Sequence, residues 1–366
     1  MSANSRITNA YENAFCLPLN PSSKYVLFSD CHRGTGRSND NFLKNEYLYL
    51  AALKYYFSHG FTYIELGDGD ELWENRSMCP IREMHAQSFE LLSRFYAKHR
   101  FYAVYGNHDI TKRSAHFSGR CFSSCFCWQE QCEIPLFPEI TFYPGIILKD
   151  CAKRKDLFLL HGHQSDLLNS TFWRLSRFLV RYVWRPLESL GIPDPTSAAK
   201  NHTKKNTTEK KLSAWAKQHE LILIAGHTHR PVIGNRTSPY CNTGSCVSPA
   251  GITAIEIENR CMTLIKWSQG TRSDMCLQVL REPLGSPLCI DDFLIIKAPA
   301  AVRVLCTALQ KIRFLRLTFG TGTIYHVCQR GLFFIYYIFI LFILYRLKIH
   351  IYFCISSIRY STAVFH

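Results

Sequence analysis

The 366-residue chain is too long for one small domain and too short for three, and its 47% hydrophobic and 14% aromatic content excludes global disorder. It carries 43 Lys and Arg against 28 Asp and Glu, but nine of the basic residues and no acidic one follow Asp292. The balance up to Asp292 is therefore ordinary, which disfavours a nucleic-acid partner.

Residues 1–23 read as an N-terminal lead, polar at its start and without an apolar signal core, so a cytoplasmic location is expected. From Lys24 strand and helix alternate. Residues 25–28 form a short apolar run ending at Ser29-Asp30, and 41–58 have helical spacing of apolar groups. Residues 61–66 read as a strand into Gly67-Asp68, 81–98 as a helix, and 101–105 as a strand into Gly106-Asn107. This βαβαβ rhythm predicts a parallel sheet layered with helices.

Residues 111–138 break the rhythm with Ser, Gly and Cys, and read as a small cap or insertion. Cys121, Cys125, Cys127 and Cys132 cluster there without the usual paired C-x2-C spacing, leaving structural zinc or free thiols open. The sixteen cysteines show no repeating frame, which argues against a disulfide scaffold. Strand-like runs resume at 141–149, 157–160 and 221–225, with a helical segment at 166–190 and a polar stretch at 193–211 between the last two. Residues 252–257 and 262–267 alternate as a terminal hairpin. One domain over 24–292 is expected.

The predicted strands end in metal-binding side chains. Asp30 and His32 follow the first and, two apart, project from one side of extended chain. Asp68 follows the second, Asn107 and His108 the third, His161 the 157–160 run, and His227 and His229 the 221–225 run. An open α/β sheet gathers such residues at the carboxyl ends of its strands. Oxygen and nitrogen donors without thiolate suit Mn, Fe or Zn, and a carboxylate can bridge two ions.

Ser29-Asp30-Cys31-His32, Gly67-Asp68, Gly106-Asn107-His108-Asp109, His161-Gly162 and Gly226-His227-Thr228-His229 resemble, in order, the motifs of the calcineurin-like metallophosphoesterases. The resemblance implies a layered α/β/β/α fold and two divalent ions, Mn first, with Fe or Zn as alternatives. It implies Asp30, His32, Asp68 and His229 around one ion and Asp68, Asn107, His161 and His227 around the other, Asp68 bridging. His108 would face the substrate phosphate with Asp109 orienting it. The implied reaction is hydrolysis of a phosphate ester or pyrophosphate by hydroxide activated between the metals. Arg33 reads as a phosphate clamp or a solvated arginine, and His163 as a ligand or a substrate-side histidine.

The run Leu66-Gly67-Asp68 with Glu71, Trp73 and Glu74 is similar to UDP-2,3-diacylglucosamine pyrophosphatases, although those carry Arg where His108 stands. That similarity implies a small-molecule or lipid-linked phosphorylated substrate. A nuclease of the same fold and a non-catalytic scaffold are the weaker alternatives. Within 166–190, Leu168, Phe172, Leu175, Leu179 and Tyr182 form an apolar stripe beside Arg174, Arg177, Arg181 and Arg185. Packing of that stripe into the core is expected over peripheral membrane contact. Residues 293–366 hold an uncharged run, 331–345, between basic flanks. They read either as a membrane anchor or as an extension never selected as protein.

Overall fold

The computed structural model describes residues 2–37, 40–127, 131–152, 155–184, 187 and 201–293. The tail expected after Asp292 lies, beyond Phe293, outside them. Helices are α1 (Ala3–Glu12), α2 (Glu46–Ser58), α3 (Cys79–Met84), α4 (Ala86–Ala97), α5 (Ala115–Phe122), α6 (Leu167–Ser170), α7 (Trp173–Leu179) and α8 (His202–Gln218). Strands are β1 (Phe15–Leu19), β2 (Lys24–Phe28), β3 (Thr62–Leu66), β4 (Phe101–Val104), β5 (Ser124–Cys127), β6 (Cys132–Pro135), β7 (Phe142–Tyr143) and β8 (Ile146–Asp150). They continue with β9 (Leu157–Leu159), β10 (Ile222–Ala225), β11 (Tyr240–Asn242), β12 (Ile252–Glu258), β13 (Cys261–Thr271), β14 (Leu277–Pro283) and β15 (Leu288–Cys289).

Two sheets stack between helices. One runs β14-β13-β12-β2-β3-β4-β7, with β15 beside β13; the other runs β1-β8-β9-β10-β11. The expected parallel core is β2-β3-β4-β7, and the expected hairpin is β12-β13, paired antiparallel. Leu27, Ile64, Leu66, Leu148, Leu159 and Ile224 fill the space between the sheets. Tyr49, Tyr56, Phe89 and Phe95 of α2 and α4 cover the first sheet. Ile7 of α1 and Trp215 of α8 cover the second. This is the layered α/β/β/α fold, with almost all of its apolar strand residues sealed on both faces.

Several boundaries moved for local reasons. The lead is part of the domain: β1 pairs in parallel with β8, and α1 packs Ile7 beside Trp215. The 141–149 run breaks at Pro144-Gly145, so β7 joins one sheet and β8 the other. The helix expected over 81–98 breaks at His85, which is buried against Asp40 (2.9 Å) and Glu46 (3.1 Å). In the insertion, Phe122, Leu136 and Phe137 pack into the core under α4. Its cysteine cluster lies partly outside the described side chains. One disulfide does form, Cys261–Cys289, because the β13–β15 ladder sets these two residues opposite each other.

The segment 166–190 departs furthest from expectation. Over its described residues it is not one helix but α6, α7 and a π-turn over Val180–Trp184, and Arg185 lies outside them. Of the expected stripe, Leu168, Phe172, Leu175 and Tyr182 face outward, as does Phe178, while Leu179 is half-buried. Periodicity shows that a helix has an apolar face, but not which way that face turns.

Candidate metal centre

The loops after β2 and β3 continue side by side past the sheet, with Asp30 N donating to Gly67 O, His32 N to Asp68 O and Arg33 N to Gly69 O. Left-handed backbone aims the donors. Asp30 (φ 52°), His32 (49°), Asp68 (51°), His227 (68°) and His229 (52°) all sit where L-residues rarely rest. Such strain costs about 1–3 kcal/mol per residue and survives only when the surroundings enforce it. Two glycines permit the close approach. A Cβ on Gly106 would fall 2.0 Å from Asp68 Oδ1, and one on Gly226 would fall 2.5 Å from Asp30 Oδ2.

The sequence-predicted donors converge. Asp30 Oδ1 lies 3.1 Å from His229 Nε2 and 3.8 Å from His32 Nε2. Asp68 Oδ2 lies 3.1 Å from His161 Nε2 and 3.9 Å from His32 Nε2, and Asn107 Oδ1 lies 3.1 Å from His161 Nε2. Asp30, His32 and His229 form one group with donor atoms within 4.8 Å of one another, and Asp68, His161 and His227 form a second. Asp30 Oδ1, His32 Nε2 and His227 Nε2 are buried without a hydrogen-bond partner. Buried polar atoms left bare at such cost fit a cation.

Neighbours fix which ring nitrogen faces inward. His161 Nδ1 lies 2.8 Å from Leu66 O, so it donates there and leaves the Nε2 lone pair free. His32 Nδ1 lies 2.9 Å from Glu71, again leaving Nε2 toward the donors. Burial, then His161, pushes His227 down to about 3, keeping it neutral as a ligand requires. Burial alone would raise the Asp68 carboxyl, but His161 and His108 hold it well below the usual range. Burial would lower His161, yet Asp68 beside it raises it to about 9.

The orienting partner of His108 is Glu71, not Asp109. His108 Nδ1 lies 2.8 Å from Glu71, and its ring stacks on Trp73 at 4.3 Å. Glu71 thus holds His32 and His108 together, and the grouping of these three is a hydrogen-bonded set rather than a third donor cluster. Burial lowers His108, but Glu71 and Asp68 outweigh it and favour the protonated ring. Asp109 instead accepts from Gly106 N (2.7 Å) and Gly69 N (3.0 Å) and pairs with Lys112 (2.7 Å). The signal for Glu71 was its place in the same loop, three residues after Asp68.

Arg33 is likewise corrected. It is 1% exposed, bound to Asp70 (2.7 Å) and Glu65 (2.8 Å) and stacked over Phe89. It can clamp no phosphate. Next to His32 in sequence, it points away from the crevice into this buried acidic pair. Lys112 closes the same buried cluster on Asp70 at 2.6 Å. His163 is buried with its ring 5.5 Å from that of His161 and belongs to neither donor group. Burial, with His161 and His227, keeps it well below its ordinary value and therefore neutral.

Residues 23–231 match the family model of the calcineurin-like phosphoesterases, and the chain belongs to that family. It is a metal-dependent hydrolase of phosphate esters. No curated protein matches it. Among solved structures it is similar to a mutant cold-active protein tyrosine phosphatase, at 15% identity and a TM-score of 0.33 over 75% of this chain and 82% of that one. Among the described residues, no helix is long and apolar enough to cross a membrane.

Proposed function

We propose that the centre is dinuclear and hydrolyses a phosphate ester or phosphoanhydride. Asp30, His32, Asp68 and His229 hold one ion and Asp68, Asn107, His161 and His227 the other, with Asp68 shared. The observation that carries this reading is the pair of adjacent donor groups with bare, buried donor atoms. Two divalent ions, with Mn, Fe and Zn all suited to these oxygen and nitrogen donors, would supply Lewis acidity and lower the pKa of water.

The chain's own residues do the rest. Glu71 binds Nδ1 of His108 and leaves Nε2 for the substrate, while Trp73 fixes the ring plane. Protonated His108 neutralises charge on the phosphoryl oxygens and gives its proton to the leaving oxygen. The narrower substrate reading, a lipid-linked nucleotide anhydride, rests on Glu71 and Trp73, the second-motif residues that contact His108. Metal analysis and turnover after chelation test the dinuclear reading. Two ions per chain are expected, with activity lost to chelator and restored by Mn²⁺. Full activity in chelator, or one ion at saturation, overturns it. Turnover of phosphomonoesters alone, with anhydrides untouched, overturns the narrower substrate.

A further inference from the structure

Among the described residues, the outward face of α6, α7 and the π-turn is left uncovered. Phe178 is 55% exposed and Leu175 52%, and Leu167, Leu168, Phe172 and Tyr182 continue the strip over successive turns. Asn169, Ser176 and Val180 are what this segment buries instead. A single exposed leucine needs no explanation, but a contiguous strip marks a surface that meets something apolar.

Its charge names the occupant. From Leu167 to Trp184 there are three arginines and no acid. Arg174 and Arg177 lie over Trp173 beside the strip, and Arg113 approaches the same ring. Arg76 binds the hydroxyl of Tyr182 at 2.9 Å. Apart from Asp166, which caps the start of α6, the strip is edged by cations, and such a surface is complementary to an anionic phospholipid surface, where the rings enter the acyl boundary and the guanidinium groups meet phosphates.

The strip is also tied to the metal centre. Arg181 donates to the carbonyls of Trp73 (2.6 Å), Leu72 (2.9 Å) and Asn75 (3.1 Å), and Trp73 is the ring stacked on His108. We infer that the α6–α7 face docks the enzyme on anionic membrane, with the catalytic crevice held beside the bilayer surface by the Arg181 clamp. The claim concerns location and stands apart from the metal count or the bond hydrolysed.

The test is co-sedimentation of the full chain with vesicles of phosphatidylcholine alone or mixed 3:1 with phosphatidylglycerol, in chelator so that catalysis plays no part. Binding to the anionic vesicles is expected. The double variant Leu175→Asp/Phe178→Asp is expected to weaken it about tenfold or more, and Arg174→Glu/Arg177→Glu by a similar factor at low salt. All four positions carry partly or fully exposed side chains outside the catalytic machinery, so unchanged turnover of a soluble nitrophenyl phosphate diester confirms that the variants fold. Equal binding to neutral vesicles overturns the inference. So does binding that survives both double variants, which would place it in the basic tail. A parent protein whose self-association is abolished by Leu175→Asp/Phe178→Asp, without lipid binding, makes the strip a protein interface and also overturns it.

Discussion

Two sets of charged side chains stand back to back at the carboxyl ends of the strands, most of them on the loops after β2, β3 and β4. In the crevice, Asp30, His32 and His227 leave donor atoms bare, and the backbone of Asp30, His32, Asp68, His227 and His229 is left-handed. Behind it, Arg33, Glu65, Asp70, Asp109 and Lys112 form a buried ion cluster in which each charge has an opposite partner within the chain. There burial would raise Asp70, but Arg33 and Lys112 hold it at about 2. Both sets are dehydrated and both draw on the same loops. One is open to a cation and the other is closed on itself. The closed set is what can hold the strained loops of the open one in place, through Arg33 one residue from His32 and Asp109 on the backbone of Asp68 and Gly69.

This division predicts that ligand changes act on turnover and cluster changes on stability. The largest effect belongs to the crevice. Asp68→Ala should lower turnover by roughly 10³-fold and reduce the bound metal, because a shared carboxylate serves both ions. His108→Ala should cost about 10²–10⁴-fold while leaving the metal in place. Its cost should shrink for nitrophenolate leaving groups, which need no proton. Retention of both ions in Asp68→Ala, by metal analysis, or their loss in His108→Ala would break the assignment of the two roles.

Next comes Lys112→Met, which strands the acidic partners of a buried ion cluster. Breaking such a pair costs about 3–5 kcal/mol, or roughly 6–20 °C in Tm for a domain of this size. The folded fraction should still bind metal. A Lys112→Met protein with unchanged Tm and no metal would reverse the roles of the two sets.

The smallest effect is a pH dependence away from both. Burial would lower His85, but Asp40 and Glu46 raise it to about 9. Because its folded pKa lies above the unfolded value of about 6.5, its contribution is complete below that pH. It fades as pH rises through about 9. The Tm of metal-free protein should therefore decline across this window, and His85→Gln should be lower at pH 6 and flatter above. A His85→Gln profile parallel to the parent's would remove His85 from the account.

The meeting of these seven side chains was legible because strands of layered sheets deliver their ends to one crevice, and the strands themselves stood out as short apolar runs. What stayed hidden depended on direction. Arg33 and His32 are neighbours in sequence and opposites in space, because the left-handed turn at His32 sets their directions and no periodicity shows such a turn. Asp109 sits beside His108 in the chain, yet the loop turns its carboxylate toward Gly106, Gly69 and Lys112, and Glu71 takes the imidazole. Helix α1 carries little apolar signal of its own and owes its place to Ile7 and to the Thr8 hydroxyl accepting from Trp215. The α6–α7 stripe was read correctly as a pattern and wrongly as an orientation.

The closeness of Gly106 to Asp68 and of Gly226 to Asp30 reaches beyond geometry, into how the molecule tolerates mutation. In a saturation scan these two positions should be as intolerant as the ligands, although neither offers a donor atom, because even alanine places a carbon on a carboxylate oxygen. The functional footprint is therefore wider than the set of atoms that touch metal. A centre transplanted into another scaffold would have to bring these empty positions along with its acids and histidines.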